Sequence, residues 1–190
     1  MRKITVFVTL LISGLLLAIP ASGEEQTPKK KKKAGLVHEI RTGVLAHDVD
    51  GLWSGTQKED GIDLNGELIF SRPSFSLLTG TVRPNLGLTL NLNGDTSKLY
   101  GGLLWELWAT SALFFDLGAG LALHNGKLDT SDPDKKSLGS RLLFRIVIEL
   151  GYALSKHHSV SIMFDHISNA YLADPNEGLD TLGIRYGYRF

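Results

Sequence analysis

From residue 36 to the end of the chain, apolar and polar positions alternate with a period of two, segment after segment. Leu86, Leu88, Leu90 and Leu92 share one parity, against Asn85, Gly87, Thr89 and Asn91 on the other. Leu99, Leu103, Trp105 and Leu107 interleave with Tyr100, Gly102, Leu104 and Glu106. Leu113, Phe115, Leu117, Ala119 and Leu121 interleave with Phe114, Asp116, Gly118 and Gly120. Leu142, Phe144, Ile146, Ile148 and Leu150 oppose Arg141, Arg145 and Glu149. Ile62, Leu64, Leu68 and Phe70 oppose Asp63, Asn65 and Glu67. Successive side chains of a strand point to opposite faces, so each segment predicts a strand with one greasy and one polar face. No segment carries the sustained apolar stripe of an amphipathic helix.

A looser segment from Leu36 to Ala46, around Glu39 and Arg41, and two C-terminal segments bring the count to about eight strands. Each is roughly ten residues long, the length that crosses a bilayer at a tilt. Turn-forming runs separate them: Asn93-Gly94-Asp95, Asn125-Gly126, Asp132-Pro133-Asp134 and Asn176-Glu177-Gly178.

Such a pattern suits either a soluble barrel with its apolar face inward or a transmembrane barrel with that face outward. The minority parity favours the second. It is rich in glycine and in charges of both signs (Arg41, Glu67, Glu106, Asp116, Arg145, Glu149), as a narrow lumen of paired ions requires, while the apolar face is nearly free of charge. The chain also ends on Ile184, Tyr186, Tyr188 and Phe190 at alternate positions, an aromatic terminus of outer-membrane type. Closure leaves no unpaired sheet edge in hydrocarbon. The predicted fold is therefore all-β, an eight-stranded antiparallel transmembrane β-barrel over residues 35–190. With an even strand count both termini face the periplasm, and the turn from Asn169 to Leu179 faces outward.

The N-terminus fits export to that location. Arg2 and Lys3 precede an apolar run from Ile4 to Ile19, and Ala21-Ser22-Gly23 supplies small residues at the cleavage spacing, so residues 1–23 read as a signal peptide. Residues 24–34, with the lysine run Lys29 to Lys33, read as a disordered, solvated linker. Removing Arg2 and Lys3 lowers Lys+Arg from 20 to 18 against 20 Asp+Glu, a nearly neutral chain with no signature of nucleic-acid binding. The absence of cysteine removes disulfides, thiol nucleophiles and Cys-based metal sites together.

Candidate chemistry lies in the last two strands, within FDHISNAYLADPNEGLDTLGIRYGYRF. His166 and Ser168 end the penultimate strand on its lipid-facing parity, and Asp180 opens the last strand on the same parity. Antiparallel neighbours can meet across a hairpin, and a serine activated by a histidine that a carboxylate orients is the minimal apparatus for acyl transfer. Asn169 and Asn176, in the turn, are candidate amide donors to an oxyanion. Polar residues on a lipid face are costly unless satisfied, so the cluster asks for a reason. Read as residues alone, it fits a catalytic site or a set of ordinary rim residues. His38, His47 and His124 are isolated in sequence, and His157 and His158 fall at an inner turn. No metal-ligand spacing is present. Asp132, Asp134, Lys135 and Lys136 read as solvated loop charge, and Trp53, Trp105 and Trp108 as interface anchors.

His166-Ile167-Ser168-Asn169-Ala170, followed by Asn176-x-Gly178 and a short aromatic-ended strand, resembles the lipid A 3-O-deacylases of the PagL type. The specific match covers about the last quarter of the chain. The resemblance implies a small outer-membrane barrel, with its active site on the lipid-facing wall. It makes Ser168 the nucleophile, His166 the general base and then acid, Asp180 the orienting carboxylate, and Asn176 with Asn169 the oxyanion donors. The implied substrate is the ester-linked 3-hydroxyacyl chain of lipid A in lipopolysaccharide, amid outer-membrane lipids and without a metal or cofactor. Well-known members carry glutamate as the third residue, so the shorter Asp180 departs from the pattern and Glu177, on the other parity, competes with it. A non-catalytic small barrel and an outer-membrane phospholipase or acyltransferase are the alternatives, and a homodimer is left open.

Overall fold

The computed structural model describes residues 35–190. The expected signal peptide and lysine-rich linker lie outside the described residues. Among the described residues nine strands follow one another: β1 (Val37–Ala46), β2 (Ile62–Phe70), β3 (Phe75–Leu77), β4 (Gly80–Asn91), β5 (Lys98–Trp108), β6 (Leu113–His124), β7 (Leu142–Ala153), β8 (His158–Ser168) and β9 (Leu179–Arg189). Each long strand pairs antiparallel with its neighbours, β1 also pairs with β9, and β2 pairs with β4 across the short β3. Eight strands thus close an antiparallel barrel of outer-membrane type. The three-residue β3, which the alternation does not predict, folds back onto the start of β4. β4 itself begins at Gly80, six residues before the leucine repeat, because Thr81–Pro84 continue the ladder with β5.

The two parities separate as their chemistry requires. Leu86, Leu88, Leu90, Leu103, Leu117, Phe144, Leu150, Ile162 and Ile184 are exposed on the outer wall, a band that hydrocarbon would cover. The lumen is filled with charge. Arg41 donates through Nη1 to Asp116 (2.5 Å) and Glu149 (2.8 Å) and through Nε to Glu39 (3.0 Å). Arg145 and Lys98 converge on Asp165 at 2.6 and 2.8 Å, while Arg189 bridges Glu39 and Glu106. Removing one partner from such a buried network would leave an uncompensated charge, which is strongly destabilising. Gly87 faces Tyr100 across β4 and β5, and a side chain there would collide with the phenol ring that fills the space.

The connections differ at the two ends. The short turns at residues 109–112 and 154–157 and the connection at residues 71–79, which carries β3, lie at the end that also holds the start of β1 and the end of β9. The connections at residues 47–61, 92–97, 125–141 and 169–178 lie at the other end, and three of those four are long. Long loops on one rim and short turns on the other are the usual asymmetry of outer-membrane barrels, with the long loops outside. An apolar plug of Tyr100, Ala122, Leu138, Leu143, Ile167 and Leu179 closes the lumen beneath these loops.

Candidate active site

The β8–β9 ladder sets the site. His166 faces Asp180 directly in the register, and Ile167 faces Leu179. Ile167 and Leu179 turn inward and are fully buried in the apolar plug. Their neighbours must therefore turn outward, and this places His166, Ser168 and Asp180 together on the outer wall. His166 Nδ1 donates to Asp180 Oδ1 at 2.6 Å, and Ser168 Oγ lies 3.1 Å from His166 Nε2. A carboxylate can only accept, so Nδ1 carries the proton and Nε2 is left to accept from the serine hydroxyl. The arrangement can therefore pass the Ser168 proton to an imidazole whose tautomer the carboxylate fixes.

Glu177 is occupied elsewhere. Its Oε1 accepts from Lys58 Nζ at 2.5 Å and its Oε2 from the Ser137 N–H at 2.7 Å. Burial works against its charge, yet the Lys58 ammonium and the Ser137 N–H hold its carboxyl below the usual range. Glu177 is thus a loop tie, and Asp180 is the carboxylate in contact with His166.

The two asparagines divide their duties. The buried Asn169 spends its side-chain amide on the carbonyls of Leu138 (3.1 Å) and Pro175 (2.8 Å), while its own N–H donates to Asn176 Oδ1 at 2.9 Å. Both amide hydrogens of Asn169 therefore hold the loop. Asn176 is oriented through its oxygen, which leaves its Nδ2 as the amide donor not engaged in that tie. Gly178 follows with φ of 67°, and a Cβ there would stand 3.1 Å from His166 Cε1. The missing side chain makes room for the imidazole.

The β1–β2 connection, which no alternation or motif ties to the hairpin, also contributes to the site. Asp180 is fully buried despite its outward parity, because the tip of this loop lies over it. The Ser54 N–H donates to Asp180 Oδ2 at 2.6 Å, and the Trp53 ring lies 5.0 Å from the His166 ring and 5.9 Å from Phe164. Trp105 and Trp108 stay at the opposite rim, where their indoles donate to the Leu77 carbonyl and to Glu106. His157 and His158 also lie at that rim, against Tyr188 and Tyr186, far from the site as expected.

Lys136 is buried, not solvated: its Nζ donates to the Thr56 carbonyl at 2.7 Å and pairs with Asp48 at 3.2 Å. Beside it His47, isolated in sequence, is held between Asp63 (2.9 Å) and Glu59 (3.1 Å). Burial opposes protonation of His47, but these two carboxylates outweigh it and raise its pKa to about 9. The partners come from segments distant in sequence, so no local pattern marks them.

The fold and site define a small outer-membrane-type barrel that carries a serine–histidine–carboxylate cluster on its outer wall. Residues 83–189 match the model of the lipid A 3-O-deacylase (PagL) family, more than half of the chain, and the chain belongs to that family. It is similar to the lipid A deacylase PagL of Bordetella bronchiseptica, with 30% identity over 87 residues, 46% of this chain and 47% of that protein. The chain thus spans about half the length of the curated relative it matches. The crystal structure of the outer membrane enzyme PagL superposes with a TM-score of 0.60 at 23% identity, covering 80% of this chain and 99% of that one. Neisserial surface protein A superposes with a TM-score of 0.50 at 11% identity, covering 80% and 96%. These two likenesses concern the fold.

Proposed function

We propose that the chain is an outer-membrane lipid A deacylase that hydrolyses the ester-linked 3-hydroxyacyl chain at the 3-position of lipid A, with Ser168 as nucleophile. The observation that carries this reading is the bridging imidazole: His166 contacts Asp180 through one nitrogen and Ser168 through the other. Family membership supports the lipid A substrate.

In the reaction, His166 Nε2 takes the Ser168 proton as Oγ forms a bond to the ester carbonyl carbon. The carbonyl oxygen becomes an oxyanion, which the Asn176 amide stabilises. The C–O bond to the glucosamine then breaks, and His166 returns the proton to the leaving sugar oxygen. Water attacks the acyl-serine with His166 again as base, the free 3-hydroxy fatty acid departs, and the Ser168 hydroxyl is restored. Asp180 stabilises the imidazolium that forms twice in the cycle. A site on the outer wall suits a substrate that stays in the leaflet, since lipid A reaches it by lateral diffusion and its acyl chains need not leave hydrocarbon.

The test supplies purified lipid A and phospholipid in parallel to the folded chain. Release of a 3-hydroxy fatty acid from lipid A supports the reading. Free fatty acid from phospholipid alone contradicts it and favours a phospholipase.

A further inference from the structure

The outward carboxylate of Asp180 ought to be open to the membrane, yet it is fully buried. Its cover comes from a loop more than a hundred residues away in sequence. That loop is built to hold one shape. Asp48 Oδ2 accepts the N–H groups of Lys58 (2.7 Å) and Glu59 (3.1 Å), tying the two ends of the loop together. The Asp48 carboxylate is in turn paired with the buried Lys136 of the 125–141 loop. At the tip, Gly51 N donates to the Gly55 carbonyl at 2.9 Å, and both glycines have positive φ, 72° and 77°, which closes a tight turn around Leu52 to Ser54.

This turn is fastened to the hairpin at three places. The Val49 N–H donates to the Asp180 carbonyl at 3.0 Å, the Ser54 N–H to Asp180 Oδ2 at 2.6 Å, and Lys58 to Glu177. Asp180 Oδ1 is then free to receive His166, so the carboxylate is gripped at both oxygens. Trp53 meanwhile packs against the imidazole, its ring tilted 55° to that of His166. An imidazole held only at its two nitrogens can still tilt about the line between them; a ring packed 5.0 Å away limits that freedom.

We infer that the tip of the β1–β2 loop is a positioning element of the acyl-transfer site, with the Ser54 N–H fixing the Asp180 carboxylate and Trp53 fixing the His166 ring. It rests on the proposed role of Ser168. Neither residue touches the reacting atoms: Ser54 works through its backbone, and Trp53 works through His166. The side chain of Ser54 is dispensable for this purpose, whereas its N–H is not. The ring of Trp53 is needed for its face, so another aromatic ring serves in its place.

The test uses the full chain, folded in detergent, and reads two rates: labelling of Ser168 by a fluorophosphonate, and turnover of lipid A resolved into kcat and KM. A misplaced catalytic group costs rate more than binding, so Trp53→Ala should lower the labelling rate and kcat together by about tenfold or more, with KM within about twofold. Trp53→Phe should restore most of the rate. Ser54→Pro, which deletes the N–H, should fall similarly, while Ser54→Ala keeps most of the rate. Trp53 is largely exposed, so its variants threaten the fold little and decide the question even if Ser54→Pro fails to fold. A raised KM with labelling unchanged in Trp53→Ala would make Trp53 a wall of the substrate groove and overturn the inference. So would Ser54→Ala and Ser54→Pro losing rate equally, or neither Trp53 variant losing any. A wild-type chain that neither labels nor deacylates would instead count against the proposed function itself.

Discussion

Asp180 lies directly across the β8–β9 ladder from His166, and its Oδ1 accepts the imidazole Nδ1 proton at 2.6 Å. The register alone makes this pair, since both residues point outward from adjacent antiparallel strands. Asp180→Asn should keep the shape but lose the acceptor that sets the tautomer, lowering lipid A turnover by about 10²–10⁴-fold. Glu177→Gln should cost little, because it weakens only partly exposed ties to Lys58 and the Ser137 N–H, neither of which touches His166. Fatty-acid release from lipid A by the two variants checks the contrast, and equal losses would contradict the assignment of Asp180.

Gly178 leaves the space that the imidazole occupies. An alanine there must adopt φ near 67° and place Cβ 3.1 Å from His166 Cε1 and 3.3 Å from the Ile167 carbonyl. The backbone strain costs about 1–2 kcal/mol, and the crowding pushes the ring away from Ser168. Gly178→Ala should therefore remain a folded barrel, seen as heat-modifiable gel mobility, while losing turnover by about tenfold or more. Full activity would show that the ring has room it does not use.

The outer loops should open at both ends of the pH scale. His47 has its pKa raised from 6.5 to about 9 by Asp63 and Glu59, so its contribution to loop closure is complete below about 6.5 and is lost as pH rises through about 9. Burial alone would raise the carboxyl pKa of Glu59, but His47, Thr96 and Lys136 lower it to about 2. Its contribution is complete above about 4.5 and is lost as pH falls through about 2. Protease cleavage within residues 47–61 should be slowest between these limits, at about pH 4.5–6.5. His47→Gln should flatten the alkaline rise; an unchanged profile would remove His47 as its cause.

Barrel, strand faces and the His166–Ser168–Asp180 trio were legible in the sequence because all follow from period-two alternation and nearest-neighbour pairing. Leucines at 86, 88 and 90 announce an outer wall wherever the strand sits. Loop partners obey no such period. Lys136 sits in a charged run that reads as solvent-facing, and only closure of the barrel brings it to Asp48 and Thr56. Trp53 reads as an interface anchor because its contact with His166 spans a separation no local pattern encodes. Asn169 reads as an oxyanion donor beside Ser168, and the carbonyls of Leu138 and Pro175 that its side-chain amide meets in the structure come from loop segments with no pattern to announce them.

Lys136 carries a prediction of its own. Lys136→Met removes the cation facing the buried Asp48 carboxylate, at a cost of about 3 kcal/mol or more. The loss is confined to the loops, so proteolysis at residues 47–61 should quicken while the heat-modifiable barrel persists. An unaltered cleavage rate would show that the pair contributes nothing to loop closure.

The central claim is that Ser168 is the nucleophile of a lipid A deacylase. Its most direct test is the mass of lipid A from cells expressing the wild-type chain or Ser168→Ala at equal levels of folded barrel. The expected result is loss of one 3-hydroxyacyl chain with the wild type and unmodified lipid A with the variant. Lipid A of unchanged mass with the wild type, or equal deacylation by Ser168→Ala, would contradict it.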